Sequence, residues 1–286
     1  MQALYDVPAP AKLNLFLHLT GRRADGYHLL QSAFMLIDWC DTLHFELRRD
    51  GRITREDHGE TLPAEDLIVR AARALQQAKG SALGVHIAVV KRIPAQAGMG
   101  GGSSDAASTL LALNRLWRLG LTRTQLAAIG LQLGADVPFF LHGGNAWVEG
   151  IGEQIRPMSL PQARFVVIKP RAGLDTGAIF RAPELKRDSE PATITGFAAD
   201  PFGFGRNDLQ PVAERLCPPV AQGLELLAQQ GLKGRMTGSG SAVFAPLAQE
   251  ADVFARLSPK LAPDWRMRLC SNLEVHPLGG WASSDN

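Results

Sequence analysis

The chain has 286 residues, 45% of them hydrophobic and 20% charged, with a formal net charge of +2. That balance builds one large or two ordinary globular domains around a real core and leaves no basic footprint for nucleic acid. The three cysteines, Cys40, Cys217 and Cys270, are too far apart for a zinc or redox motif; Asp6, Pro8 and Pro10 break any N-terminal signal segment, and no apolar run approaches a membrane span. A cytoplasmic protein with reduced thiols is expected, acting on small molecules without a nucleic-acid, membrane or obligate protein partner.

The first predicted strand is Ala11 to Leu19, with Leu13, Leu15, Leu17 and Leu19 on one face and Lys12, Asn14, Phe16 and His18 on the other. A turn, T-G-R-R-A-D-G-Y-H, leads to strand-like stretches near Ser32–Asp38 and Thr42–Arg48. Asp66 to Gln77 has helical spacing through Leu67, Ala71, Ala74 and Leu75. V-H-I-A-V-V-K reads as a buried strand. It runs into P-A-Q-A-G-M-G-G-G-S-S, Pro94 to Ser104, and then into an amphipathic helix carrying Ala106, Leu110, Leu113 and Trp117.

Strand, glycine-rich loop and helix in that order make a phosphate site. Glycines let backbone amides turn toward a ligand, and the helix dipole adds partial positive charge there. The spacing excludes two common versions. No G-x-x-x-x-G-K-[ST] string occurs, and a G-x-G-x-x-G count from Gly98 ends on Ser103. A tight connection that binds nothing is the plain alternative.

Further along, Thr122 can cap a helix running to about Leu133, and L-G-A-D-V-P-F-F-L reads as a short break before a strand at Asn145–Glu149. The texture changes around Pro157–Gln162. A fresh strand follows at Ala163–Lys169, a surface loop at Arg187–Arg206, a helix at Pro219–Gln230, a turn at Gly238–Ser241, a strand at Ala242–Ala245, a helix at Gln249–Leu257 and a last strand near Met267–Leu273. The alternation points to a split α/β sandwich in the second half, and the tail after Pro277 reads as disordered.

Taken singly, the polar residues have plain explanations. Lys12 fits a solvated strand face, and Asp136 fits a turn before Val-Pro. Tyr27 and His28 fit a surface turn, and Phe180 fits a buried helix residue beside Ile179. Taken together, P-A-K-L-N-L at Pro10, the glycine-rich block at Pro94 and M-T-G-S-G-S-A-V-F at Met236 resemble the GHMP kinase superfamily, small-molecule kinases with a non-Walker phosphate loop. R-A-D-G-Y-H, the triple glycine and L-G-A-D-V-P-F-F are similar to the branch whose acceptor carries a cytidine diphosphate group, and the likeness runs from about Pro8 to Pro277.

The resemblance implies an α/β (α+β) fold of two domains, residues 1–157 and 158–286, with the active site in the cleft between them. It implies Lys12 and Asp136 as the catalytic pair, the carboxylate as general base and the ammonium offsetting charge on the transferred phosphate. It places ATP on Pro94, Ala95, Gln96, Ala97, Gly98, Met99, Gly100, Gly101, Gly102, Ser103 and Ser104, with Asp66, Leu67 and Lys91 contributing. It places the acceptor on Asn14, Tyr27, His28, Thr176, Phe180, Gly238 and Ser239, with the base stacked between Tyr27 and Phe180 and its edge read by His28. Magnesium is expected with ATP, its protein ligands unassigned and Ser104 a candidate. Two departures stand out: Asp66-Leu67-Ile68 where the family usually has Asn-Leu-Ile, and Gln96 and Met99 where it more often has glycine and leucine. Kinases for homoserine, mevalonate or sugars, and a silent nucleotide-binding regulator, are the rival readings. The D-G-Y-H block disfavours the former and the retained Lys12 and Asp136 the latter.

Overall fold

A computed structural model describes residues 2–247 and 253–284. The strands are β1 (Ala3–Arg22), β2 (His28–Arg48), β3 (Ile53–His58), β4 (Gly84–Val90), β5 (Ala146–Glu149), β6 (Gln154–Pro157), β7 (Arg164–Lys169), β8 (Arg235–Met236), β9 (Val243–Leu247) and β10 (Arg266–Leu273). The helices are α1 (Leu67–Lys79), α2 (Gly101–Leu116), α3 (Arg123–Leu133), α4 (Val137–His142), α5 (Thr176–Arg181), α6 (Ile194–Ala199), α7 (Gln210–Leu216), α8 (Pro218–Ala228) and α9 (Val253–Leu257).

The spine is β2. The two short strands expected at 32–38 and 42–48 are one strand of 21 residues. One edge of β2 pairs with β1 along most of its length, while the other is shared in turn by β5, β10 and β4. The sheet runs β3-β4-β2-β10-β7-β9-β8, so β10 carries it from the first half of the chain into the second. Helices α1 to α4 pack over the first part, with Leu75, Leu110, Leu113 and Phe139 fully buried among them. In the second part Val166, Ile168 and Val243 bury against Val220 and Leu227 of α8.

Local signals set most boundaries. Asp66 caps α1 by accepting from Val69 N, and Gly80 closes it in a left-handed conformation, φ 57°. Thr122 and Gln125 form a reciprocal capping box on α3.

Several expectations are corrected. The leucines of β1 do not share one face. The register steps from Asn14↔Phe34 to Leu17↔Ser32, so a bulge at Leu15–Phe16 flips the alternation. Leu13 and Leu15 enter one core cluster and Leu17 and Leu19 another. Helix α2 is not one-sided, for Ser104, Asp105, Ser108, Thr109 and Asn114 are buried along with its apolar residues. The break expected after Leu133 contains α4, because Pro138 sits in its first turn, where a missing N–H costs nothing. The loop at 187–206 contains α6, which buries Phe197 against Phe16 and Trp147. The tail is ordered through Ser283: Leu278 is buried in the first core, and Arg123 N donates to Ser283 O at 3.0 Å. Of the helix expected at 249–257, residues 249–252 lie outside the described residues and Val253–Leu257 is helical.

Asn145 clips the junction between the two parts of the sheet. It is buried, its Oδ1 accepts from Leu36 N and its Nδ2 donates to Leu273 O, both at 2.9 Å. Asn145→Leu leaves two buried backbone groups unpaired at about 1–3 kcal/mol each, so urea unfolding should show a loss of roughly 2–6 kcal/mol. Stability within about 0.5 kcal/mol of wild type, the range of ordinary surface changes, would remove the clip from this role.

Candidate active site

The phosphate loop is shorter than its motif, because Gly101 to Ser104 already form the first turn of α2. The free amides of that 16-residue helix therefore begin inside the triple glycine. Gly100 caps the helix at φ 70°, and a Cβ there would sit 2.9 Å from the Phe140 ring and 3.3 Å from Lys12 Cγ. Glycine is what lets the lysine stem lie against the loop.

Both other motifs are pinned to this loop by backbone. Lys12 N donates to Met99 O at 3.0 Å, Ser241 N to Gln96 O at 3.1 Å and Ala242 N to Ala97 O at 3.2 Å. Gly98 meets the third motif so closely that a Cβ would fall 2.1 Å from Thr237 O. The Thr237 hydroxyl accepts from Asn14 N at 2.9 Å. Asn207, which carries no sequence signal, donates to Met236 O and Gly238 O at 2.8 Å and fixes the far side of the turn.

Lys12 and Asp136, 124 positions apart in number, come together beside Gly100, with Nζ to Oδ2 at 3.8 Å. Lys12 is only 3% exposed, so it is not the solvated lysine that its strand pattern allows. Burial lowers its pKa, and Asp136 opposes that shift. Its ammonium also donates to Asn14 Oδ1 and lies 4.8 Å from the Phe34 ring centre. Asn14 thus serves the lysine: its Nδ2 is occupied by Ser32 Oγ at 3.0 Å. Asp136 stands just before α4 with a third of its side chain exposed and makes no capping bond, which leaves the carboxylate available.

The nucleotide residues divide. Leu67 of α1 lies against the loop, 3.4 Å from where a Gly102 Cβ would be. Asp66 is engaged, capping α1 and pairing with Arg55 Nη1 at 2.5 Å. The Lys91 ammonium is shared between the buried carboxylates of Asp41 and Asp105, under the first turn of α2. Asp41 also accepts from Ile93 N at 2.8 Å, which ties the triad to the strand-to-loop exit. Burial disfavours the Lys91 cation, yet Asp105 and Asp41 outweigh it and hold its pKa above the ordinary value. Two carboxylates against one ammonium leave a negative charge in excess, and burial pushes Asp105 up to about 7. Ser104 Oγ and Asp105 Oδ1 are buried without a hydrogen-bond partner. A cleft of about 650 Å³ opens at the loop's first arm, between Pro94, Ala95 and Gln96 on one side and Lys169, Arg171 and Arg266 on the other.

Two pairs of the expected acceptor residues meet. Thr176 Oγ1 and Ser239 Oγ are 2.7 Å apart. The ring stacked on Phe180 is that of His28, at 4.9 Å between centroids and 29° between planes. Tyr27, expected opposite Phe180, is exposed. The three cysteines are free thiols, as expected, and no helix among the described residues is long and apolar enough to cross a membrane.

Residues 66–144 match the GHMP kinases N terminal domain and residues 196–259 the GHMP kinases C terminal domain. The chain belongs to the GHMP kinase family and is a small-molecule kinase with that family's fold. Relatives from Polaromonas sp. and Albidiferax ferrireducens are each 68% identical, cover 98% and 100% of this chain and 95% and 98% of their own, and are named 4-diphosphocytidyl-2-C-methyl-D-erythritol kinase. A crystal structure of 4-(cytidine 5'-diphospho)-2C-methyl-D-erythritol kinase is 35% identical with a TM-score of 0.78, covering 93% of this chain and 98% of that one. A homoserine kinase from Cytophaga hutchinsonii shares the fold at 13% identity, a TM-score of 0.70 and 96% coverage of both chains.

Removing Lys91 strands two buried carboxylates. Lys91→Met should cost about 3–5 kcal/mol near neutral pH, the usual penalty for breaking a buried pair. The sign with pH follows from Asp105. A carboxyl whose folded pKa is raised binds its proton more tightly in the folded state, so its contribution to stability declines as pH rises from the unfolded value through the folded one. Lys91 holds that pKa down, so Lys91→Met raises it further and the variant gains more from protonation than wild type. The penalty should therefore shrink as pH falls from about 8 to about 5 in urea unfolding. A loss equal at both would mean that the carboxylates are not its source.

Proposed function

We propose that the chain transfers the terminal phosphoryl group of ATP to the 2-hydroxyl of 4-diphosphocytidyl-2-C-methyl-D-erythritol, giving the 2-phosphate and ADP in the non-mevalonate route to isoprenoid precursors. The observation that carries the chemistry is the Lys12–Asp136 pair beside the amide-rich end of α2. The identity of the acceptor rests on full-length relatives at 62–68% identity that bear this enzyme's name.

ATP lays its phosphates against the amides of Gly100 to Ser103, where the helix end offers donors and partial positive charge. The acceptor hydroxyl sits between Asp136 and the terminal phosphorus. Its proton passes to the Asp136 carboxylate as the new O–P bond forms, the bond from phosphorus to the bridging oxygen breaks, and ADP leaves. The Lys12 ammonium, almost free of water, offsets charge on the transferred group more effectively than a solvated cation would. Asn14 holds that ammonium in place.

Magnesium fits this site: Ser104 Oγ, in the first turn of α2, is buried without a hydrogen-bond partner. No cluster of three acidic, histidine or cysteine ligands occurs among the described residues, which suits a cation carried mainly by the nucleotide's own phosphates. The ion would neutralise phosphate charge. The cytidine base belongs beside His28 and Phe180, and the purine in the cleft at Pro94–Gln96. A division near residue 157 separates the phosphate-loop half from the half bearing Thr176, Phe180 and Ser239, with the tail after Pro277 returning to the first half. A cytoplasmic location accords with the free thiols.

ADP release across a panel of the cytidyl compound, mevalonate and homoserine tests the acceptor, and only the first should be turned over. Asp136→Asn keeps the size of the side chain but takes no proton at neutral pH, so kcat should fall by ~10²–10⁴ while both dissociation constants stay within a few-fold. Turnover near the wild-type rate in a folded Asp136→Asn protein would sink the base assignment and leave Asp136 an orienting role.

A further inference from the structure

Arg187 opens the segment whose sequence reads only as surface loop, yet all of its guanidinium nitrogens are engaged. Nη1 donates to Leu185 O at 2.9 Å, and Nη2 donates to Phe180 O at 3.0 Å and Ala182 O at 2.8 Å, closing the end of α5. Nε donates to His28 Nε2 at 3.0 Å. One side chain thus ties the backbone beneath Phe180 to the ring stacked upon it.

The direction of the His28 bond carries chemical information. A guanidinium only donates, so the imidazole nitrogen facing it must keep its lone pair. A neutral imidazole carries one proton, which must then reside on Nδ1. The neutral form is itself favoured: burial, then the charges of Arg187 and Arg22, lower the His28 pKa. No carboxylate contributes to that shift.

We propose that Arg187 sets the tautomer of His28, making Nδ1–H a fixed donor, and through it selects cytosine over uracil in the acceptor. This rests on the cytidyl reading above, with His28 at the base edge. Cytosine N3 is a bare acceptor and complements a fixed donor. Uracil N3 carries a proton, so the same edge would set donor against donor. An imidazole free to switch tautomer could serve either base, whereas one locked by an arginine cannot. Sites that hold a polar group in one sense reject the mismatched analogue far more strongly than apolar pockets reject size changes. Arg187 is a positioning residue here; it acts on the base through His28.

Two measurements test this. Nitrogen-15 spectra of histidine-labelled wild type, with His28 assigned by its absence in His28→Gln, should show the His28 proton on Nδ1 and an acceptor at Nε2. Competition between the cytidyl compound and its uridyl counterpart should show strong preference for cytidine in the wild type. In Arg187→Met the ratio of the two kcat/KM values should fall at least ~10-fold while the ATP KM stays within ~2-fold, a loss of about 1.4 kcal/mol in base discrimination. A merely structural role, loosening Phe180 and the end of α5, raises KM for both bases alike and keeps the ratio, which would overturn the proposal. A His28 proton on Nε2 in an active wild type would overturn the tautomer assignment even if Arg187→Met does not fold. A wild type that phosphorylates neither compound would defeat the acceptor reading, and base selection with it.

Discussion

The backbone seam along the phosphate loop is the constraint on which the rest of the site depends. One stretch of chain, Gln96 to Met99, is held by Lys12 N on one side and by Ser241 N and Ala242 N on the other. Gly98 has no room for a side chain against Thr237, and Gly100 none against Phe140 and Lys12. Glycine is needed here for close approach as well as for positive φ, and the approach joins parts of the chain that are far apart in sequence. The loop can therefore present its amides in one shape before any nucleotide arrives, so little ordering entropy is left for binding to supply.

Charge is arranged in two tiers around that seam. On one side of the seam, the buried Lys12 faces a partly exposed Asp136, and the separation of 3.8 Å leaves the carboxylate loosely held. Beneath the helix end, Lys91 lies between Asp41 and Asp105 in a tight, nearly dry triad. The two lysines have opposite fates. Burial governs Lys12 and lowers its pKa, whereas two carboxylates govern Lys91 and raise it. The first suits a cation that must respond to incoming phosphate, and the second a fixed strut. Lys91, expected to serve ATP, is held by these two carboxylates, and Asp66, expected beside it, pairs with Arg55 and caps the start of α1.

What the sequence made legible was chiefly what repeats or caps. Helical spacing located α1 and α2, Thr122 marked the start of α3, and the glycine run marked the phosphate loop. Strings far apart also predicted the meeting of Lys12 with Asp136, because the likeness to known kinases joined them before geometry could. The bulge at Leu15–Phe16 was invisible, since leucine at every second position looks the same whether or not the alternation flips. Helix α4 was missed because Asp-Val-Pro ends helices as readily as it begins them. Asn145, Asn207 and Arg187 each fasten distant segments through side chains, and a lone asparagine or arginine in a loop has no periodicity to betray it. By composition the tail reads as disordered and the segment at 187–206 as a surface loop, yet single apolar anchors, Leu278 and Phe197, bury them.

Amide exchange in the nucleotide-free protein tests the central claim most directly. If the seam preorganises the loop, the amides of Lys12, Ser241 and Ala242, each donated to a loop carbonyl, should be protected to nearly the level of the β2 core without ATP, and adding nucleotide should change them little. Exchange at the rate of an open surface loop until ATP is added, followed by strong protection, would mean that nucleotide builds the loop and would contradict the account.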